Sequence, residues 1–322
     1  MKQLSYAHSQ LSSSSAEALV SRFYDIGSIK RCCYYVLGLH DNYLIETDSG
    51  KFILRAYRNA WRSPKDIHFE LKLLDFLQRN GASVASPVVS KKNELCFEIE
   101  CPEGSRLMAM FPYAEGEAPG RNISVLQSKL LGNAVANFHQ CADAFNSDGF
   151  KKILDMQYLL DQSVMTVAPF LCSELLNYVK NLQKKLKDSL PDIPKIKATY
   201  GVCSGDINPT NFHINAQKKI TLFDFDQCGY GYRAFEIGKF NSSIGDLENH
   251  KKLSQAFLEG YQNIRQLNDE ELFSIPFFEI VSHIWVMAIH VYNADRVGYK
   301  WLEKPFWNKR VFAIQKLEKA LG

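Results

Sequence analysis

The sequence has 322 residues and no C-x-x-C pair, although it carries eight cysteines, at positions 32, 33, 96, 101, 141, 172, 203 and 228. Structural zinc needs four soft ligands at close spacing, so a zinc module is excluded. A chain of this length builds its own core and needs no disulfide frame. The expectation is free, mostly buried thiols in a reducing cytoplasm. Extended like-charge runs are also missing, since the densest stretch, Lys184–Lys187, is too short to act as a tail. Lys plus Arg is 38 and Asp plus Glu is 35, a net charge of +3. That lacks the concentrated basic patch of a nucleic-acid binder. No apolar segment follows the start MKQLSYAHSQLSSSSAEAL, so no signal peptide is expected. The longest apolar stretch, Ile275–Tyr292, is broken by Glu279, His283 and His290. It reads as a buried helix and not as a membrane span. Low complexity is confined to Ser12–Ser15, and no internal repeat is present. With 46% hydrophobic and 23% charged residues, disordered, collagen-like and coiled-coil classes are excluded.

What is present divides in two. Ser12–Ser15 can cap a helix over Ala16–Tyr24, where Leu19, Val20 and Phe23 recur at helical spacing. Tyr34–Leu37, Tyr43–Thr47 and Phe52–Tyr57 are β-rich, and Asp48-Ser49-Gly50 is hairpin chemistry between the last two. Ser63-Pro64 opens an amphipathic helix over Lys65–Gln78 with Ile67, Leu71, Leu74 and Leu77 on one face, closed by Asn80-Gly81. Glu94–Glu100 and Arg106–Phe111 add two strands. Residues 1–111 are therefore expected to form a small antiparallel five-stranded domain with one internal helix. Residues 112–116 (Pro-Tyr-Ala-Glu-Gly) read as a linker, and residues 117–322 as a larger, mainly helical domain. Its expected helices are Leu126–Ala144, Tyr158–Val167, Cys172–Ser189, Leu253–Tyr261, Asp269–Tyr292 and Pro305–Leu321. The class is α+β.

One β-rich island, Ala198–Gly231, interrupts the helices. Phe212-His213-Ile214 and Ile220–Phe223 flank a polar turn, so a hairpin sets Asn211, just before one strand, beside Asp224, just after the other. Asp206 lies on the loop ahead of Asn211. One amide oxygen and two carboxylates then converge, an oxygen-only set suited to magnesium completed by water and phosphate oxygens. Asp206 and Asn211 alone would read as a capped turn. Asp224 and Asp226 after an apolar strand raise the set above that reading.

These residues resemble the catalytic core of protein-kinase-like enzymes, with the D-x-x-x-x-N spacing at Asp206–Asn211 and Asp224 at the metal-binding position. Ser-Gly-Asp-Ile-Asn-Pro-Thr-Asn at 204–211 and Phe-Asp-Phe-Asp at 223–226 are similar to motifs of the aminoglycoside phosphotransferase and homoserine/choline kinase superfamily. Gly229 and Phe235-Glu236-Ile237-Gly238 match that family's continuation loosely. The resemblance spans most of the chain and implies a two-lobed protein-kinase-like fold.

It also implies roles. Arg55, ending the third strand, would hold the α/β phosphates of ATP in place of the usual lysine. Glu70, fifteen residues on, would orient it as a bidentate partner. Met110, Phe111 and Tyr113 fall at the interlobe linker, where the family binds adenine. Asp206 would act as catalytic base, Asn211 and Asp224 would hold Mg, and Asp226 would either support those ligands from behind or bind a second metal. The loop Gly38–Tyr43 takes the place of the phosphate loop without G-x-G-x-x-G. Ser204 stands where the family has a histidine. The implied activity is transfer of the γ-phosphate of ATP to a hydroxyl of a small molecule of amino alcohol, amino acid or aminoglycoside type. A bacterial protein Ser/Thr kinase and a catalytically weak pseudokinase are the alternatives. The expected context is a cytoplasmic monomer or homodimer without nucleic-acid or membrane partners. Glu279, His283, Trp285, His290, Asp295, Tyr299, Trp301 and Trp307 either form an acceptor site, aromatics caging an amine, or pack as a core.

Overall fold

The structure is a computed structural model that describes residues 5–147, 150 and 152–321. Ser12 caps helix α1 (Ser13–Phe23), its side chain accepting from the Ser15 amide at 3.1 Å. The helix thus begins inside the serine run, because a serine that caps costs no helical turn. Strands β1 (Ile29–Leu37), β2 (Asp41–Thr47) and β3 (Lys51–Ala56) follow as an antiparallel meander. Helix α2 (Pro64–Arg79) opens on a capping box between Ser63 and Asp66 and buries Ile67, Leu71, Leu74 and Leu77. Each of those side chains removed from water stabilises by about 1.5–3 kcal/mol. β4 (Phe97–Cys101) and β5 (Gly104–Pro112) complete a five-stranded antiparallel sheet in the order β1-β2-β3-β5-β4. The α+β expectation and the five strands with one internal helix are met.

Strand alternation sends β5 residues to opposite faces. Met108 and Met110 are completely buried against α1 residues Ala16 and Val20, whereas Ala109 and Phe111 join the core on the α2 side.

The rest is mainly helical: α3 (Val125–Ala142), α4 (Gln162–Val167), α5 (Ser173–Ser189), α6 (Arg233–Ile244), α7 (His250–Gln262), α8 (Asp269–Val297) and α9 (Lys304–Leu321). Where one helix was expected over Tyr158–Val167, a wider π turn at Gln157–Asp161 precedes α4. Helix α6 was not expected. Gly238, Asn241, Ser242 and Ser243 are poor helix formers, and packing on α8 overrides them. Gly238 permits that packing, since a Cβ there would lie 2.8 Å from the Phe278 carbonyl carbon. The β-rich island splits into a short hairpin, β8 (Phe212–Ile214) with β9 (Ile220–Leu222), and a three-stranded sheet. That sheet joins β7 (Tyr200–Cys203) and β10 (Gly229–Tyr232) to β6 (Ile153–Leu154).

Helix α8, at 29 residues, is long and apolar enough to cross a membrane by length and composition. Here Ile280, Val281, Ile284, Met287 and Ala288 sit in the protein core instead. All eight cysteines are free, but only Cys96, Cys203 and Cys228 are buried; Cys172 is exposed and four are half-buried. The expectation of mostly buried thiols is corrected on that point.

Candidate active site

The β8–β9 hairpin brings the expected trio together. The Phe223 amide donates to the Asn211 carbonyl at 3.1 Å, which sets Asn211 beside the turn into Asp224. Asn211 Nδ2 donates to Asp206 Oδ2 and to the Asp206 carbonyl, both at 3.0 Å. Among the described residues its Oδ1 accepts only from the Thr210 hydroxyl, at 3.5 Å. Asp224 holds a left-handed backbone, φ +64°, that costs a non-glycine residue about 1–2 kcal/mol and clusters at functional sites. Its carboxyl touches solvent and also meets Arg55, Nη2 to Oδ1 at 3.0 Å. Burial pushes Asp224 up to about 6; Arg55 opposes this and the charges of Asp226 and Asp206 add to it. The floor of the cleft is thus acidic and under-neutralised.

Arg55 is the pivot of the opposite wall. It lies 3.5 Å from Glu70 and donates from Nε to Asn42 Oδ1 at 3.3 Å. Its guanidinium also lies over the rings of Phe111 and Tyr57, at 5.5 and 5.9 Å from their centroids. Burial works against its charge, but Asp224, Tyr57 and Glu70 outweigh that and raise its pKa. Burial lifts Glu70 to about 8 against the pull of Arg55, and Tyr57 donates to Glu70 at 3.1 Å.

The loop 204–211 is held from below by residues of α6 and α3 whose support no sequence motif marked. Glu236 on α6 accepts from the backbone amides of Ser204 (2.9 Å) and Gly205 (2.8 Å). Lys239, one turn along, reaches Asp206 Oδ1 at 2.8 Å and is almost wholly buried. His139 on α3 stands 3.6 Å from Glu236 and shares a 2.8 Å hydrogen bond with the Tyr261 hydroxyl. Gly205 has φ +81°, and a Cβ there would meet the Gln227 carbonyl at 2.5 Å. This loop therefore keeps its shape with serine at 204, because α6 and α3 supply the polar support. The signal was in the sequence at Glu236, in the segment noted only as a loose match.

Above the floor lies an open cleft of about 590 Å³. Tyr35, Ile53, Leu74, Ala85, Phe111 and Phe223 are among its lining residues, with Arg55, Glu70 and Asp224 at one end. Pro112, Tyr113, Ala114 and His213 line it at the linker. Phe111 and Tyr113 are where the sequence expectation put them. Met110 is not, because its side chain points to the far face of the sheet and its carbonyl already accepts from Val88 at 2.7 Å. Tyr113 donates to Lys51 across the ladder, and Pro112 pairs opposite Phe52. That register turns the Pro112 carbonyl away from β3. The Ala114 amide has no hydrogen-bond acceptor among the described residues. One acceptor and one donor, two residues apart, are thereby left free at the cleft edge. The Tyr35 and Tyr113 hydroxyls meet at 3.3 Å.

Asp226 has a different fate from Asp224. It is buried, and its Oδ2 accepts from Trp61 at 2.9 Å and Gln227 at 3.1 Å, with His40 at 3.4 Å and Arg62 at 4.0 Å. Burial alone would raise its pKa, but His40, Arg62 and Trp61 hold it well below the ordinary carboxylate range. Arg62 and Lys152 take its backbone carbonyl. Whereas the Asp224 carboxyl faces the cleft, the Asp226 side chain, with Oδ2 so committed to protein donors, is a fastening point. What it fastens is the loop before β2, because His40, fully buried and held neutral by burial, belongs to that loop. The same loop is tied from α8: Arg296 donates to the carbonyls of Gly38 (3.1 Å) and Leu39 (2.8 Å) and pairs with Asp41. Asp41 also receives Arg106 at 2.7 Å.

Among the described residues no group of three or more His, Cys, Asp or Glu could hold a metal ion. The free oxygens of Asp224 and Asn211 do fit a hard cation that draws most of its shell from phosphates and water.

Fold and floor together define a kinase-like phosphotransferase. Residues 38–271 match the family model described as the phosphotransferase enzyme family, and the chain belongs to that family. An uncharacterized protein of Synechocystis sp. is 36% identical over 306 residues, covering 93% of this chain and 83% of the relative. Among solved structures, a microcompartment-associated aminopropanol kinase superposes with a TM-score of 0.81 at 18% identity, covering 96% of this chain and 97% of that one. The amicoumacin kinase hAmiN, in complex with AMP-PNP, Ca2+ and Ami, gives a TM-score of 0.75 at 20% identity, covering 95% and 93%.

Proposed function

We propose that the protein transfers the γ-phosphate of ATP to a hydroxyl of a small molecule, of amino alcohol, amino acid or aminoglycoside type. The observation that carries this reading is the meeting of Asp206, Asn211 and Asp224 opposite Arg55 at the end of a cleft. The Pro112 carbonyl and Ala114 amide offer an acceptor and a donor that complement the amino group and ring nitrogen of adenine, and Phe111 and Phe223 flank the base. Residues 1–111 form the nucleotide lobe, 112–116 the hinge, and 117–322 the acceptor lobe in this reading. Arg55, steadied by Glu70, holds the α/β phosphates. Asp224 and Asn211 hold magnesium, which when bound neutralises charge on the β and γ phosphates. Asp206, turned by Lys239 and Asn211, accepts the proton of the acceptor hydroxyl as its oxygen bonds to the γ-phosphorus and the bond to the β–γ bridging oxygen breaks, releasing ADP. The free thiols suit a reducing cytoplasm.

The test is thermal stability with ATP and magnesium, on the wild type and on Asp224→Ala. A ligand bound only by the folded state must raise the melting temperature. The expected result is a magnesium-dependent rise that Asp224→Ala loses. No rise at saturating nucleotide overturns the reading in favour of an interaction module.

A further inference from the structure

The acceptor helix α8 presents Glu279, His283, Val286 and His290 along one half-buried stripe. Of the aromatics beside it, Trp285 and Trp307 are buried in the core, and Trp301 packs edge-on against His290 and Phe306. Lys239 and Arg310, from the neighbouring helices α6 and α9, both act on His283 by their charge. Lys239 is spoken for by Asp206 at 2.8 Å. Arg310 is not paired in this way. Among the described residues no carboxylate lies within ion-pair distance of it. It donates to His290 Nε2 at 2.9 Å and lies 5.3 Å from the centroid of the Phe306 ring. The nearest acid acting on it, Asp246, is paired with Arg121 at 2.7 Å. His283 makes no hydrogen bond to any described residue, and its nitrogens are not sealed from solvent. Burial, with the charge of Arg310, holds both histidines down to about 4, so they add no positive charge at neutral pH. Glu279, one turn before His283, is lifted to about 7 by burial, with Asn241 beside it.

We infer that Arg310, with His283 and His290, forms a subsite for an anionic group on the acceptor, a carboxylate or a phosphate carried by the same molecule whose hydroxyl meets Asp206. An arginine without a carboxylate, set on an aromatic ring with a neutral histidine steering it, has up to four N–H groups left to receive such an anion. The inference rests on the phosphotransferase reading, selects amino acids from its acceptor classes, and adds hydroxy acids and phosphorylated alcohols to them.

The experiment measures ADP release by the full chain with matched alcohols: glycerate, homoserine and glycerol phosphate against glycerol, aminopropanol and ethanolamine. Calorimetry with the AMP-PNP-loaded protein accompanies it. The expected result is that kcat/KM, or binding where turnover is absent, favours an anionic member by about tenfold or more. Arg310→Gln should raise the acceptor KM about tenfold and leave the KM for ATP unchanged, with Arg310→Lys intermediate. The carboxylate and phosphate arms separate the two sources of the anion. A preference for the amines, no binding of any anionic probe to the loaded protein, or an unchanged preference in Arg310→Gln overturns the subsite. Failure of AMP-PNP itself to bind overturns the phosphotransferase reading beneath it, so the two failures are distinct.

Discussion

The floor of the cleft and the layer just beneath it are built from the same residue types and behave in opposite ways. Asp224 and Asp226 are two residues apart, yet one touches solvent with its pKa pushed up to about 6 and the other is buried and held low. The floor keeps Asp224 short of partners; beneath it Asp226 and Glu236 accept several hydrogen bonds, although His40 Nε2, His139 Nε2 and Ser204 Oγ are buried without one. An under-neutralised acid is ready to receive a cation, at some expense of stability. A fully bonded acid beneath it is what keeps the first in place. Glu236 and His139 do for the catalytic loop what Asp226 and His40 do for the loop before β2.

The difference is sharpest in Asp224→Asn. Turnover should fall about a hundredfold or more, since the group acts on the transition state. Unfolding free energy should stay within about 1 kcal/mol or rise, because a crowded carboxylate is removed and asparagine tolerates the left-handed backbone. Rates and denaturant melts check both, and a large loss of stability would break the contrast. Asp226→Asn should do the reverse in kind. Removing the acid that His40, Trp61 and Arg62 surround should cost about 3 kcal/mol of stability, read as a lower melting temperature. Any loss of turnover should be recovered in part when the assay is cooled. The smallest effect concerns pH. His139 is buried and its pKa lies well below 6.5, first through burial and then through Arg233 and Arg265. The unfolded chain binds a proton near 6.5 that the folded chain refuses, so stability is full above that pH and falls as pH drops below it. The slope from this residue is at most about 1.4 kcal/mol per pH unit. Glu236, raised by burial above its usual 4.5, tilts the curve the other way, losing stability as pH rises from there through its folded pKa. His139→Gln should flatten the acid side of the stability curve, and an unchanged slope would show that His139 does not contribute.

The floor was legible in the sequence because its chemistry is local. Asp206, Asn211 and Asp224 sit on one loop and one hairpin, so spacing alone brings them together. Arg55 and Glu70 were legible from the third strand and the amphipathic helix. The support was not, because Glu236, Lys239, His139 and Arg296 come from three helices distant in the chain, and no period marks them. Helix α6 was hidden by its own glycine and serines, which tertiary packing overrules. Which backbone groups of the linker stay free was not legible, because the Val88 hydrogen bond to the Met110 carbonyl comes from a segment that no sequence pattern marks. The surroundings of Asp226 were not legible, because its partners Trp61, Arg62 and His40 come from segments far away in the chain.

The loop Gly38–Asn42 carries no glycine-rich signature, and Arg296 explains why it can do without one. A flexible flap must be ordered each time a nucleotide arrives, whereas this turn is already fixed by Arg296, His40 and Asp41 when the chain folds. The same arginine rides on the helix that bears His283 and His290. Thirteen residues of helix, about 20 Å, separate His283 from Arg296. In the proposed reading, one helix therefore joins the acceptor end to the loop that takes the place of a phosphate loop, so a shift along its axis would move both.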